Sequence, residues 1–188
     1  MNKLAEVERK LPTVWKKTGV PQLALVVMVL VGLFGIGGAK LSAYANSTMA
    51  GFATGQYSIT ADMNQRISAA ANVITIAKKI PNLDKTLLEQ AQQAVDAAEN
   101  LSSPAQAYQN NQAMETAIEA LYNTALTQAD DQQKEQLSEQ HSEFLSRGTI
   151  LRNSAYNEQA KAFNDKRNAF PANLIGALWG VQEAEYFA

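Results

Sequence analysis

One apolar run near the amino terminus constrains the fold of this chain more than any other feature. Residues 23–39, LALVVMVLVGLFGIGGA, contain no charged side chain, and residues 20–22 extend the uncharged stretch to twenty. At about 1.5 Å per residue, a helix of that length crosses the hydrocarbon core of a bilayer. We therefore predict a single transmembrane anchor over residues 20–45.

A cleaved signal peptide is the alternative explanation of this run. Such peptides also join a basic start to an apolar stretch, and the sequence Ala43-Tyr44-Ala45 is similar to a small-residue cleavage site. Their apolar part is usually about 7 to 15 residues long, which is shorter than the run found here. The length favours a retained anchor, and cleavage stays open.

Positive charge is concentrated before the apolar run. Residues 1–45 carry six Lys or Arg against two Glu, whereas residues 46–188 carry ten against sixteen Asp or Glu. Because Lys and Arg are enriched on the cytoplasmic side of membrane spans, residues 1–19 are predicted to be a cytoplasmic basic tail, with a short interfacial helix as the alternative. The acidic body lacks a basic stripe, which argues against a nucleic-acid partner.

Small residues recur every four positions within the predicted span. Such strips allow two transmembrane helices to approach closely, so they are candidate surfaces for self-association. Glycine is also common in membrane spans generally, and that is the alternative explanation. The candidate packing residues are Gly35, Ala39 and Ala43 on one strip and Gly38 and Ser42 on another.

Residues 46–188 are predicted to form helices, because apolar positions step by three and four and no alternating strand pattern occurs. The stripes lie at Ile59, Met63, Ile67, Ala70, Ile74 and Ala77; at Leu83, Leu87, Ala91, Ala94, Ala98 and Leu101; and at Met114, Ile118, Leu121 and Ala125. Pro81 ends or kinks the first helix, and Ser103-Pro104 marks a boundary before the third. Residues 46–57 are either a linker or a continuation of the membrane helix.

A long fourth helix is predicted toward the carboxy terminus. Leu137, Phe144 and Leu151 repeat every seven residues, which is typical of coiled-coil-like packing. Ala155, Phe163 and Phe170 are assigned to the same helix. Since short connections make neighbouring helices antiparallel, the predicted fold is all-α: one transmembrane helix followed by an elongated antiparallel bundle of three to four helices.

The residue inventory argues against catalysis. The chain has no cysteine and one histidine, which removes thiolate nucleophiles, Cys-based metal sites and histidine-rich metal sites. His141 lies among polar neighbours and is expected to be exposed, and the acidic residues nearby are expected to form a solvated helix face: Asp130, Asp131, Glu135, Glu139 and Glu143. We predict no catalytic, cofactor-binding or metal-binding residues, no cofactor, and no enzymatic activity.

The carboxy-terminal sequence carries the most specific motif. It contains a Tyr-Asn pair, a second Asn one heptad later, a Phe-Pro pair and a final aromatic pair: Tyr156, Asn157, Asn164, Phe170, Pro171, Tyr186 and Phe187. In this order the motif resembles the end signature of the LemA family. Ile80-Pro81-Asn82-Leu83 is also similar to a family segment, although the Arg-rich stretch that usually precedes it is missing.

The resemblance implies a membrane-anchored antiparallel helical bundle over residues 46–188, with no established enzymatic activity. It also implies two functional themes, which are the shaping of membranes, including organelle-type bacterial membranes, and service to a membrane protease. We expect the motif residues to be structural, with Asn157 and Asn164 on one helical face, bonding across to another helix. The apolar residues that follow Pro171 are expected to fold onto the end of the bundle or into a neighbouring molecule.

The sequence thus predicts a structural protein that self-assembles and scaffolds or shapes the membrane, with lipid and copies of itself as partners. An extracytoplasmic adaptor or sensor for a membrane protease or envelope complex is the alternative. The predicted location is the inner (plasma) membrane of a bacterium, with a single pass, a cytoplasmic amino terminus and an extracytoplasmic bundle.

Overall fold

The structure, a computed structural model, describes residues 20–188, so the tail predicted over residues 1–19 lies outside the described residues. Within residues 20–188 the chain is helical and contains no strand, which confirms the all-α prediction. The α-helices are α1 Val20–Leu30, α2 Gly37–Ala53, α3 Ile59–Ala77, α4 Lys85–Ala98, α5 Pro104–Gln128, α6 Asp131–Arg152, α7 Tyr156–Asn168 and α8 Ala172–Trp179, and a π-helical segment, Val31–Ile36, joins the first two.

The described residues divide into two compact units. The anchor unit consists of residues 20–44 and Arg167–Gln182, and the bundle unit consists of Ala45–Lys166 and Glu183–Ala188.

The amino-terminal helices form one continuous apolar helix, Pro21–Ala53, which we call the anchor helix. It is 33 residues long, its most apolar window has a mean hydropathy of 2.2, and only 6% of that window is buried within the chain. A core helix of a soluble protein would be mostly buried, so this helix fits a membrane anchor better. Helix α2 continues through Ala53 before a turn at Gly55, so most of residues 46–57 continue the membrane helix rather than forming a linker.

Helices α3 to α6 form the bundle, and each begins at a side-chain cap. The caps are Ser58, Asp84, Ser103 and Asp130, whose oxygens accept hydrogen bonds from backbone N–H groups in the first turns. Asp130 also forms a capping box with Gln133. These bonds satisfy N–H groups that have no partner inside the helix, which fixes where each helix starts. The boundary predicted at Ser103-Pro104 is therefore confirmed.

Cross-helix hydrogen bonds show how the bundle helices run. Arg66 of α3 bonds to the carbonyl oxygen of Phe144 in α6, and Asn72 bonds to Gln140, so numbers rise along α3 as they fall along α6. Helices α3 and α6 are therefore antiparallel, as are α5 and α6, in which Tyr122 bonds to Ser138 and Glu119 to His141. The predicted stripes of α3 and α5 are buried without exception, and so are Leu137, Phe144 and Leu151.

The predicted long fourth helix is divided in two. Helix α6 ends at Arg152, and α7 begins at Tyr156 after a turn. Phe163 is buried in α7, but Phe170 lies beyond the end of that helix and is 81% exposed. The heptad therefore describes α6 alone, and assigning Phe170 to the same apolar stripe was wrong.

Candidate functional site

A buried arginine lies in the middle of the bundle unit. Arg66 occupies the inward face of α3 between Met63 and Ala70, and its side chain has no exposed surface. A buried charge is costly unless it is paired and fully hydrogen-bonded, so the partners of this residue determine whether the bundle tolerates it.

Two neighbouring helices, α5 and α6, supply those partners. The guanidinium of Arg66 donates to Asn111 Oδ1, to Glu115 Oε2 at 2.8 Å and to the carbonyl oxygen of Phe144 at 3.2 Å. It also lies 4.1 Å from the centroid of the Phe144 ring, in a cation–π contact. One planar cation therefore connects α3, α5 and α6, using the fork geometry that lysine lacks.

The surroundings of Arg66 shift its pKa in opposite directions. Burial lowers the pKa of Arg66 from its ordinary value, while the hydrogen bond to Glu115 raises it and offsets part of that effect. The guanidinium remains protonated at neutral pH, as arginine does in proteins. Gly148 on α6 makes room for it, because a Cβ at that position would lie 2.8 Å from the guanidinium carbon. A larger residue there would displace the network.

His141 belongs to a second polar layer and is not exposed as expected. It is 8% exposed, it contacts Glu119 Oε1 at 3.0 Å, and its ring stacks on Tyr122 at 3.7 Å between centroids. The side chain of His141 therefore points into the bundle and not along the solvated face of α6. It does so because α5 supplies Tyr122 and Glu119 as its aromatic and carboxylate partners. The expectation of exposure for Glu135, Glu139 and Glu143 is met.

A shallow groove opens above the arginine network. It has a volume of about 420 Å³, and its lining combines aromatic, amide and charged side chains: Tyr108, Asn111, Gln112, Glu115, Thr116 and Arg152. Glu115 and Arg152 are paired with each other at 3.7 Å, and Glu115 is also paired with Arg66. Their charges are thus largely satisfied inside the chain. The described residues contain no group of three or more side chains suited to hold a metal ion.

The family-type motif forms a clamp on the carboxy-terminal segment, which we call the tail and define as Glu183–Ala188. Asn157 exchanges two hydrogen bonds of 2.8 Å with the backbone of Phe187, and Asn164 exchanges bonds of 2.8 and 2.9 Å with the backbone of Ala184. An asparagine amide offers one acceptor and a donor side by side, so it pairs with a peptide unit as another peptide would.

The spacing of the two asparagines matches the tail they hold. Seven residues of helix separate Asn157 from Asn164, which is about 10.5 Å of rise. Three residues separate Ala184 from Phe187, and an extended chain covers about 10 Å over that distance. The seven-residue spacing of the asparagines therefore matches the distance between the two tail residues that they bind. The expectation that these amides bond to another helix was wrong, because their partners are backbone groups of the tail.

Aromatic residues complete the clamp. Tyr156 is buried and its hydroxyl donates to the carbonyl oxygen of Glu185 at 2.8 Å, while Phe187 packs edge-on against Tyr108 at 5.3 Å between centroids. Tyr186 is partly exposed, and its hydroxyl lies 3.4 Å from Asn164 Nδ2. Five of the seven motif residues thus belong to the clamp in the bundle unit, and Phe170 and Pro171 lie in the anchor unit.

Tyr156 gives the clamp a measurable pH dependence. Burial, with a smaller effect of Glu185, raises the pKa of Tyr156 from 10.0 to about 12. Because the pKa in the folded state exceeds that in the unfolded state, the stabilising effect is complete below pH 10 and is lost as the pH rises to about 12. We expect Tyr156→Phe to be about 1 kcal/mol less stable at neutral pH, the usual net value of a hydrogen bond.

The difference in unfolding free energy between the wild type and the variant should shrink between pH 10 and about 12. The tyrosine at position 156 ionises in this range, whereas the phenylalanine of the variant cannot. The measurement is urea unfolding of both full-length proteins in mild detergent across this range. Groups common to both proteins cancel in the difference. A difference in unfolding free energy that stayed constant over the range would contradict the assignment.

The predicted packing strips of the span have different surroundings. A Cβ added at Gly35 would meet nothing within 4 Å, and Ala39 and Ala43 are exposed. Gly38 is buried beneath the indole of Trp179, which a Cβ at that position would overlap, and Ser42 is half-buried. The strip of Gly35, Ala39 and Ala43 is therefore open to another helix, and its use in self-association stays a prediction.

The anchor helix and the capped helical bundle define the class of this chain: it is a membrane-associated all-α protein. The model of the LemA family matches residues 56–188, which covers the whole bundle and the tail clamp, and the chain belongs to the LemA family. The resemblance carried by the carboxy-terminal motif is thereby confirmed. No curated protein sequence and no solved structure gives a significant match.

Proposed function

We propose that this protein is a membrane-anchored structural protein that assembles with copies of itself and scaffolds or shapes the membrane. The observation that carries the proposal is the anchor helix, whose leucine and valine side chains stay exposed along residues 23–33. Exposed apolar surface of this extent is unfavourable in water, and a bilayer removes the cost. The anchor is retained, and it enters the inner membrane of a bacterium with the amino terminus cytoplasmic.

Self-assembly is supported by the open strip of Gly35, Ala39 and Ala43. In lipid, helices associate through close packing rather than through hydrophobic burial, and small residues permit the closest approach. Because Gly35, Ala39 and Ala43 are exposed among the described residues, a second anchor helix can reach the strip.

A structural role without catalysis fits the polar groups of the bundle. Glu115 pairs with both Arg66 and Arg152, and His141 is engaged by Glu119 and Tyr122. Groups tied down in this way stabilise helix packing and are not free to transfer protons to a substrate. The bundle is therefore proposed to act as a rigid body outside the membrane.

The alternative is an adaptor or sensor for a membrane protease or envelope complex. The groove above Arg66 favours it, since tyrosine, amide and charged side chains form the kind of mixed surface that a protein partner contacts. Crosslinking in cells distinguishes the two functions: a scaffold gives mainly self-crosslinks, whereas an adaptor gives one dominant foreign partner.

The assembly contact is tested by placing bulk on the strip. Ala39→Leu in the full-length protein should reduce the particle mass in mild detergent, because the longer side chain prevents close helix approach. Leu33→Ile, at an exposed position two residues before Gly35 and therefore on roughly the opposite side of the helix, is the matched control and should leave the mass unchanged. Light scattering corrected for detergent gives the mass. If both variants matched the wild type, the strip would not be the contact.

A further inference from the structure

The short helix α8 exposes an unusual amount of apolar surface. Phe170, just before it, is 81% exposed, and the exposed fractions of Leu174, Leu178 and Trp179 are 51%, 72% and 47%. No charged residue occurs between Arg167 and Glu183. A contiguous apolar patch without a charged residue inside it is rare on a protein surface that faces water.

Contacts with α2 fix where α8 lies. A Cβ at Gly38 would overlap the Trp179 indole, one at Gly37 would lie 3.1 Å from Ile175 Cδ1, and one at Gly176 would lie 3.4 Å from Leu41 Cδ2. Helix α8 therefore packs beside the first turn of α2. Helix α8 and the part of α2 before Ala45 both belong to the anchor unit.

That position coincides with the end of the apolar run. The uncharged residues 23–39 finish beside α8, and Lys40 follows at once. The end of such a span lies where the acyl chains meet the lipid headgroups, the depth at which tryptophan is enriched and lysine or arginine reaches the phosphates. Arg167 lies at the same place, since its Nε donates to the carbonyl oxygen of Val181 at 3.2 Å beside α8.

We propose that α8 is a second membrane contact, an interfacial helix that buries Phe170, Leu174, Leu178 and Trp179 in the leaflet at the carboxy-terminal end of the span. The occupant of this patch is lipid, because the patch continues the exposed apolar surface of the anchor helix itself. Interfacial helices of this type enter a leaflet by about 5–10 Å. The proposal rests on the proposed function, since it requires the anchor helix to span the bilayer.

Inserted into one leaflet only, α8 adds area to that leaflet and not to the other. This asymmetry gives the chain a way to favour curved membrane, and it deepens the proposed role in membrane shaping.

Tryptophan fluorescence tests the proposal in the full-length protein. The chain has two tryptophans, so Trp15→Phe leaves Trp179 as the reporter. The variant is reconstituted into phosphatidylcholine vesicles that carry bromine either near the headgroup or deep in the acyl chain. We expect strong quenching of Trp179 by the shallow bromine, weaker quenching by the deep bromine, and little quenching by aqueous iodide.

A matched variant separates this inference from the anchor. Trp15→Phe with Trp179→Phe and Leu30→Trp reports the middle of the span, which should be quenched most by deep bromine. If that reporter responds and Trp179 does not, the interfacial helix is refuted while the anchor stands. If Trp179 is shielded from both bromine and iodide, a second copy covers α8 and the lipid contact is refuted. If the span reporter does not respond to bromine either, the anchor and the proposed function fail together.

Discussion

Replacement of Arg66 by alanine is expected to lower the free energy of unfolding by about 3–5 kcal/mol, the usual effect of removing one partner from a buried ion pair. The change leaves Asn111 Oδ1 and the carbonyl oxygen of Phe144 without their donor, and it leaves Glu115 without its closest cation. It also empties the space beside Gly148. Urea unfolding of the full-length protein in mild detergent, followed by far-UV circular dichroism, measures the effect.

Arg152→Ala is the matched control for this prediction. Arg152 also pairs with Glu115, but its side chain is 59% exposed and the two groups are 3.7 Å apart. Exposed pairs of this kind contribute about 0–1 kcal/mol. Arg66→Lys keeps the charge without the planar fork, so it should fall between the two variants. Equal unfolding free energies for the Arg66→Ala and Arg152→Ala proteins would show that the buried network does not stabilise the bundle.

Loss of both clamp asparagines is expected to release the tail. Asn157→Ala with Asn164→Ala removes four hydrogen bonds, each with a net value of about 1 kcal/mol. A total of about 4 kcal/mol corresponds to an increase of roughly a thousandfold in tail opening. Hydrogen exchange at the amides of Ala184 and Phe187 should accelerate accordingly, while exchange in the centre of α3 should change little.

Glu158→Ala provides the comparison for the clamp. Glu158 lies on the same helix next to Asn157 but points to solvent, so its removal should leave exchange of the tail amides unchanged. Asn164→Asp keeps the shape but places a carboxylate against the carbonyl oxygen of Ala184 in a buried site, so exchange at Ala184 should accelerate in this variant too. Tail amides that remained protected in the double alanine variant would mean that burial of Phe187 alone holds the tail.

Much of the fold follows from local patterns in the sequence. The apolar stripes of α3 and α5 and the heptad of α6 predict which faces are buried, because a three- and four-residue period is a property of each helix by itself. The Ser103-Pro104 boundary is local in the same way. The break between α6 and α7 was missed because the apolar period resumes at Phe163 after only a short turn, and a residue count cannot show that residues 153–155 leave the helix.

Arg66 was the main omission in the candidate site. Its position, three residues after Met63 and four before Ala70, places it on the apolar stripe of α3, and an arginine on such a stripe is a signal for a buried network. The partners could not be predicted, because Asn111, Glu115 and Phe144 come from helices far away in sequence. His141 was misplaced for the same reason, since its burial depends on Glu119 and Tyr122 of the neighbouring helix.

The carboxy-terminal motif shows a different limit. Its residues could be recognised, and the heptad spacing of Asn157 and Asn164 correctly put them on one face. The sequence did not reveal that this face holds an extended tail, because helix-to-helix and helix-to-tail contacts require the same spacing. The distance from Asn157 to Asn164 along the helix matches the distance from Ala184 to Phe187 along the tail. This agreement is evident only once the position of the tail is known.

The particle mass of the intact wild-type protein tests the central claim most directly. The protein is extracted in mild detergent, and light scattering with the detergent mass subtracted is recorded over a series of protein concentrations. A membrane scaffold that assembles through its anchor predicts one large, defined oligomer throughout the series. The mass of a single chain at every concentration would contradict it.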